Sequence, residues 1–245
     1  MNPPLDPIPL QILEFICLHS PVGRTPPVFL RREDITGMLR LSLNEYDQAC
    51  GDLARQGLIV TDQPGSGDLD FIAPTKAGRR LGTPRPLPVT FWVEPGYLLA
   101  GEYPGAFAPD EARGRLRQLL KAGVTFFIDL TTEHDGLEPY QPLLLEEAAR
   151  MGKQVEYRRM AIRDGSVPTV AEMQQILQAI DGALADGQVV YVHCWGGVGR
   201  TGTVLGCYLV RHGATGYAAL AELKRMRSVL PPGERSCSPG MVDHG

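Results

Sequence analysis

No apolar run in this 245-residue chain approaches the ~18 to 20 residues that a bilayer-spanning helix needs. The strongest stretches, at 189–192 and 204–210, are short and punctuated, which excludes a membrane span. The opening Met1-Asn2-Pro3-Pro4-Leu5-Asp6 carries no Lys or Arg ahead of its first apolar stretch, so it lacks the charged start of a secretory signal and a cytoplasmic location is expected. Cysteines are few and scattered. Cys17, Cys50, Cys194, Cys207 and Cys237 form no Cys-x-x-Cys pair, which suits neither a disulfide framework nor a zinc cluster; reduced thiols are expected, with no metal and no other cofactor. Lysine is scarce too: only Lys76, Lys121, Lys153 and Lys224 among 24 basic residues, the bias of a bacterial gene rich in G and C. What is present is ordinary for a soluble globular protein, with 43% hydrophobic and 21% charged residues and a net charge of -4, so disordered and fibrous architectures drop out. At ~150 residues per domain, the length allows one or two domains.

The segment Thr83-Pro84-Arg85-Pro86-Leu87-Pro88 places three prolines in six residues, a pattern that neither a helix nor a central strand tolerates. It predicts a linker over 83–89 between domains at 1–82 and 90–245. In the first, helices are expected over 8–19, 30–39 and 42–56, the last opened by a Ser42-x-x-Glu45 capping box and stopped by Gly57. Strands follow at 58–60 and 69–72 around a turn at 63–68, with a short helix at 76–81. Three helices and a hairpin resemble a winged helix.

Beyond the linker, apolar stretches at 91–93, 97–100, 124–129, 155–160 and 188–193 alternate with helical patterns at 109–122, 142–151 and 169–185, the last with a Thr169-x-x-Glu172 capping box. Two more helices are expected at 200–211 and 214–229. The alternation predicts an α/β fold with a central, mostly parallel sheet flanked by helices.

The strand ending at Val192 runs into His193-Cys194-Trp195-Gly196-Gly197-Val198-Gly199-Arg200-Thr201-Gly202, and a helical pattern starts at the arginine. Strand, glycine-rich loop and helix in that order let backbone N–H groups converge over a helix N-terminus, a nest for a dianionic phosphate made by residues 195–200. The same positive potential, with the Arg200 guanidinium, favours a thiolate on Cys194 and so a nucleophile. Arg200, planar and permanently charged, suits bidentate capture of phosphoryl oxygens.

These residues resemble the signature of the cysteine-dependent protein phosphatases, His-Cys-x5-Arg-Thr/Ser-Gly, most closely the dual-specificity branch and its kinase-associated phosphatases, over about residues 90 to 230. The resemblance implies a phosphocysteine intermediate on Cys194, no metal, and a general acid on a separate upstream loop. Asp164, in Arg163-Asp164-Gly165-Ser166-Val167-Pro168, is similar to the family's Asp-Gly-Gly-x-Pro acid loop, from which Ser166 and Val167 depart. Glu133, Asp135 and Glu138 are competing acids on a loop at 131–140 that is expected to contact substrate. Thr201 is expected to donate its hydroxyl to the Cys194 sulfur, and His193 to brace the loop backbone. Cys207 reads as a small core residue. Tyr97, Gly101, Tyr103, Pro104 and Gly105 resemble an opening strand and turn of the same family, with a structural role.

The implied substrate is a phosphorylated protein, with phosphotyrosine, phosphoserine and phosphothreonine all open. Residues 1–82 carry eight Lys and Arg against ten Asp and Glu, and the helix in recognition position has Glu45, Asp47 and Asp52 against Arg55. Nucleic acid asks for the opposite sign, so a protein partner or intrachain packing is expected there rather than DNA, although Arg31, Arg32, Arg79 and Arg80 offer a local basic patch. A competing reading is a phospho-dependent binding module or transcription regulator with little turnover. Sulfur transfer by a rhodanese-like loop fits the Cys-x5-Arg spacing and separate aspartate less well.

Overall fold

A computed structural model describes residues 5–20, 31–61 and 72–231, and its contacts divide the chain into two compact units, Met1–Pro84 and Arg85–Gly245. In the first unit α1 (Pro7–His19), α2 (Arg32–Leu39) and α3 (Leu43–Arg55) precede β1 (Ile59–Thr61), β2 (Ile72–Pro74) and α4 (Lys76–Gly82). The capping box that opens α3 is formed: Ser42 Oγ accepts from the Glu45 N–H at 3.2 Å and the Glu45 carboxylate accepts from the Ser42 N–H at 2.8 Å. At its other end the Gly57 and Leu58 N–H groups bond back to the Ala54 and Leu53 carbonyls, with Gly57 at φ +67°. That closure still occupies Leu58, so β1 starts at Ile59, one residue later than its apolar pattern suggests. Tyr46, Ala49 and Leu53, spaced for one helix face, are buried with Ile12, Leu13 and Ile16 of α1 and Ile35 of α2. β1 and β2 pair antiparallel from Ile59↔Pro74 to Thr61↔Ile72; the expected turn at 63–68, and most of the expected strand at 69–72, lie outside the described residues.

Of the proline-rich segment, Leu87 is buried in the core of the second unit and its N–H donates to Thr90 Oγ1 at 3.3 Å. The second unit then runs β3 (Thr90–Glu94), β4 (Leu98–Gly101), α5 (Pro109–Lys121), β5 (Phe126–Asp129), α6 (Gln141–Arg150), β6 (Glu156–Arg159), α7 (Val170–Ala185), β7 (Val190–His193), α8 (Gly199–Arg211) and α9 (Gly216–Arg227). Its five-stranded sheet has the order β3-β4-β7-β5-β6, parallel except for the antiparallel edge strand β3. The Val-Tyr-Val-His run of β7 is continuous because a central parallel strand is covered on both faces. Val190 and Val192 pack with Ile176, Ile180, Val204 and Leu205 of α7 and α8, while Tyr191 packs with Leu116, Leu120 and Leu144 of α5 and α6.

Helix ends depart from the sequence pattern where capping decides them. The last helix starts at Gly216 rather than 214 because Thr215 serves as its cap, Oγ1 accepting from the Ala218 N–H at 3.3 Å. The buried Glu147 of α6 is covered by arginines rather than by apolar protein: Arg117 and Arg113 hydrogen bonds, with Arg150 nearby, pull its carboxyl down to about 2. Among the described residues no helix is long and apolar enough to cross a membrane.

Candidate active site

Strand register aligns the chemistry. Gly101 of β4 and Asp129 of β5 both stand beside His193 of β7, and Arg159 of β6 stands beside Asp129, so four strands end in one row. The loops after β5, β6 and β7 therefore emerge together at the carboxyl edge of the sheet, where α/β folds bind ligands.

The loop after β7 is held down by its neighbours. The Tyr103 N–H donates to the Trp195 carbonyl at 2.8 Å, and the Tyr191 hydroxyl donates to the Glu102 carbonyl at 2.5 Å. Gly197 sits at φ +68° with the Gly101 carbonyl so near that a Cβ would lie 2.4 Å from it, so only glycine fits. The expected substrate-binding role of this loop divides accordingly: Trp195, Gly196, Val198, Gly199 and Arg200 line a cavity of about 390 Å³, whereas Gly197 does not line it and packs against the end of β4. Cys194 lines the same cavity, nearly buried, and across from the loop come Asp164, Gly165 and Ser166. α8 begins at Gly199, so Arg200 and Thr201 belong to its first turn, where N–H groups have no intrahelical acceptor and the helix dipole is positive.

Arg200 is buried and its donors are divided. Nη1 donates to Asp135 Oδ2 at 2.7 Å and to the Ile162 carbonyl at 3.2 Å. Nε lies 3.2 Å from Asp164 Oδ1, yet its N–H is not directed at that oxygen and finds no hydrogen-bond acceptor among the described residues. One edge of the guanidinium is thus anchored on Asp135 and Ile162, while Nε is buried beside Asp164. Burial opposes the charge of Arg200, but the Asp135 hydrogen bond and the nearby Cys194, Asp135 and Asp164 groups outweigh it and raise its pKa further. Asp135, expected to contact substrate or to compete as the acid, instead grips the arginine. Burial works against its ionised form, but the Arg200 and Thr132 hydrogen bonds prevail and hold its carboxyl below the usual range. Glu133 and Glu138 do not line the cavity.

Thr201 departs from expectation. Its Oγ1 is buried without a hydrogen-bond partner among the described residues, so it does not donate to the Cys194 sulfur. Arg200 Nε and Thr201 Oγ1 are thus both buried without a hydrogen-bond partner among the described residues.

His193 does contact the loop backbone, Nδ1 lying 3.3 Å from the Cys194 carbonyl. A carbonyl only accepts, so Nδ1 carries the proton and Nε2 accepts from the Tyr140 hydroxyl at 2.6 Å. Burial outweighs the neighbouring Asp129 and lowers the His193 pKa, keeping the ring neutral. Asp129, fully buried, accepts from the Thr131 N–H at 2.8 Å and the Tyr157 hydroxyl at 2.7 Å, with Arg159 at 3.3 Å. Burial pushes its carboxyl up, but the hydrogen bonds from Thr131 and Tyr157 favour the ionised form and hold it low. Sequence reasoning missed this understructure, because Tyr140, Tyr157 and Asp129 are brought under Cys194 from three separate segments. The signal in reach was a carboxylate ending an otherwise apolar strand, Phe126-Phe127-Ile128-Asp129.

Residues 88–236 match the family described as "Swiss Army Knife protein, DSP-PTPase phosphatase domain". The tyrosine-protein phosphatase CDC14 homolog of Schizosaccharomyces pombe is 32% identical over 89 residues, 36% of this chain and 14% of that protein. The phosphatidylglycerophosphate phosphatase PTPMT2 of Arabidopsis thaliana is 32% identical over 136 residues, 55% of this chain and 53% of that protein. The chain therefore spans only a part of the curated relatives it matches. Among solved structures, Tk-PTP in the active form aligns with a TM-score of 0.47 and 24% identity, over 60% of this chain and 91% of that one.

Proposed function

Since the chain belongs to the DSP-PTPase phosphatase domain family, we propose that it hydrolyses phosphate monoesters on phosphorylated protein by way of a phosphocysteine on Cys194. The observation that carries this reading is the cavity that Cys194, Arg200 and Asp164 line together, with the first residue of α8, Gly199, on its wall. The Cys194 thiolate attacks phosphorus as the ester oxygen leaves, and that oxygen takes the proton of Asp164, giving phosphocysteine and the free alcohol. Water then attacks the phosphocysteine. Its proton passes to the Asp164 carboxylate, the sulfur leaves as thiolate, and inorganic phosphate is released. Through both steps the Arg200 guanidinium and the first-turn N–H groups of α8 hold the equatorial oxygens as charge builds. His193 holds the Cys194 carbonyl and thereby the loop.

The purified chain should hydrolyse para-nitrophenyl phosphate in excess EDTA and be inhibited by vanadate. Absence of turnover, or activity lost in EDTA and restored by a divalent ion, defeats the proposal.

For the first unit we propose a winged-helix-like module that docks a protein rather than DNA. Arg55 of α3 is paired with Asp52, and Arg32 of α2 with Asp47, so these cations are committed within the unit. Salt-sensitive, submicromolar binding of duplex DNA by the full chain counts against this.

A further inference from the structure

Tryptophan occurs twice in this chain, and the two indoles are placed differently. Trp92 of β3 packs against the core that Leu116 of α5 and Leu144 of α6 help to form. Trp195 packs against none of the core clusters and is 50% exposed, directly after the nucleophile and on the wall of the catalytic cavity. Half of a tryptophan's surface is more than its backbone can show, so the indole itself is open to solvent. Among the described residues its ring stacks on no aromatic neighbour and its N–H has no hydrogen-bond acceptor.

The backbone that carries this indole is nevertheless fixed on both sides. The peptide group before Trp195 is held through the Cys194 carbonyl, 3.3 Å from His193 Nδ1, and the one after it through the Trp195 carbonyl, which accepts from the Tyr103 N–H at 2.8 Å. Gly197, tight against the Gly101 carbonyl, pins the same loop. The cavity of about 390 Å³ has more room than the five heavy atoms of a phosphate fill, at ~30 Å³ for a water, so the group esterified to the phosphate also enters it. Among the described residues that line the cavity, Trp195 is the one aromatic side chain.

We infer that Trp195 selects the ester: its indole face takes the ring of a phosphotyrosyl group, so that the site prefers phosphotyrosine to phosphoserine and phosphothreonine. The inference rests on the phosphatase reading above and adds a substrate class to it. A tyrosyl ester carries a flat ring directly on the bridging oxygen, where it can stack on the residue next to the nucleophile. A seryl or threonyl ester puts Cα only one carbon beyond that oxygen. Peptide N–H groups would then lose water against an indole that has no acceptor for them.

The test uses two peptides of one sequence, carrying phosphotyrosine or phosphothreonine at the same position. The wild-type chain should favour the phosphotyrosine peptide in kcat/KM. Trp195→Ala should reduce that preference roughly tenfold, mostly through the KM of the phosphotyrosine peptide, whereas Trp195→Phe keeps an aromatic face and should retain most of it. Because a tyrosyl oxygen is also the better leaving group, stacking is read from the change in the ratio between variants. A second readout needs no turnover: para-nitrobenzylphosphonate should quench the tryptophan emission of the wild-type chain, methylphosphonate should not, and Trp195→Phe should lose most of the quenching. Equal slowing of both peptides by Trp195→Ala, or quenching undiminished in Trp195→Phe, overturns the inference and leaves the phosphatase reading standing. So does a wild-type preference for the phosphothreonine peptide. Failure of the wild-type chain on para-nitrophenyl phosphate would instead strike the phosphatase reading itself.

Discussion

Cys194→Ser leaves the chain folded and still able to bind vanadate or phosphate, but slows turnover on the order of 10⁴-fold or more. The two side chains differ by one atom, and Cys194 sits nearly buried at the C-terminal end of β7, so the core around it has no cause to rearrange. What changes is the nucleophile. A serine hydroxyl keeps its proton at neutral pH, and His193 is not placed to take it, with Nδ1 on the Cys194 carbonyl and Nε2 on Tyr140. The anion nest is unaltered, because Arg200 and the start of α8 are untouched. The expected pattern is therefore lost rate with retained ligand binding and an unchanged melting temperature. Acid quenching during turnover of a labelled phosphate ester should trap phosphate on Cys194 in the wild type and none in the variant. Residual activity above a tenth, or trapped phosphate in Cys194→Ser, shows that another group is the nucleophile.

Asp164→Asn should discriminate among leaving groups. A tyrosyl oxygen, with a parent pKa of ~10, departs poorly unless protonated, whereas a strongly acidic phenol leaves unaided. The substitution should slow phosphotyrosine substrates by a factor on the order of 10² to 10⁴, and activated aryl phosphates much less. Asp135 is the natural competitor, since both carboxylates lie beside Arg200. Their surroundings separate them. Asp135 is gripped by Arg200 Nη1 at 2.7 Å and by the Thr132 N–H at 2.7 Å, contacts that favour the ionised form and hold it away from a leaving oxygen. Asp164 has a side chain 53% exposed, lines the cavity, and sits on a loop that no secondary structure pins. Asp135→Asn should therefore weaken the placement of Arg200 and slow all leaving groups alike. If Asp164→Asn slows every ester equally and Asp135→Asn shows the leaving-group dependence, the two roles must be exchanged.

The sequence alone determined what depends on near neighbours in the chain. Capping boxes at Ser42 and Thr169 opened the helices where they were expected, because each is a contact across three residues. The α/β alternation and the Cys194-x5-Arg200 loop between β7 and α8 were legible for the same reason: local hydrogen bonding and side-chain periodicity specify them. Tertiary structure decided everything that turns on distance between remote segments. Only the register Gly101, His193, Asp129, Arg159 brings three loops to one edge, and only then do Asp135 and Asp164 become neighbours of Arg200 from 65 and 36 positions upstream. Nothing in the sequence said that Gly197 must admit the Gly101 carbonyl, that Thr201 Oγ1 would find no partner among the described residues, or that Tyr140 would set the His193 tautomer. Those are consequences of close packing among residues far apart in the chain, and packing distance has no periodicity to read.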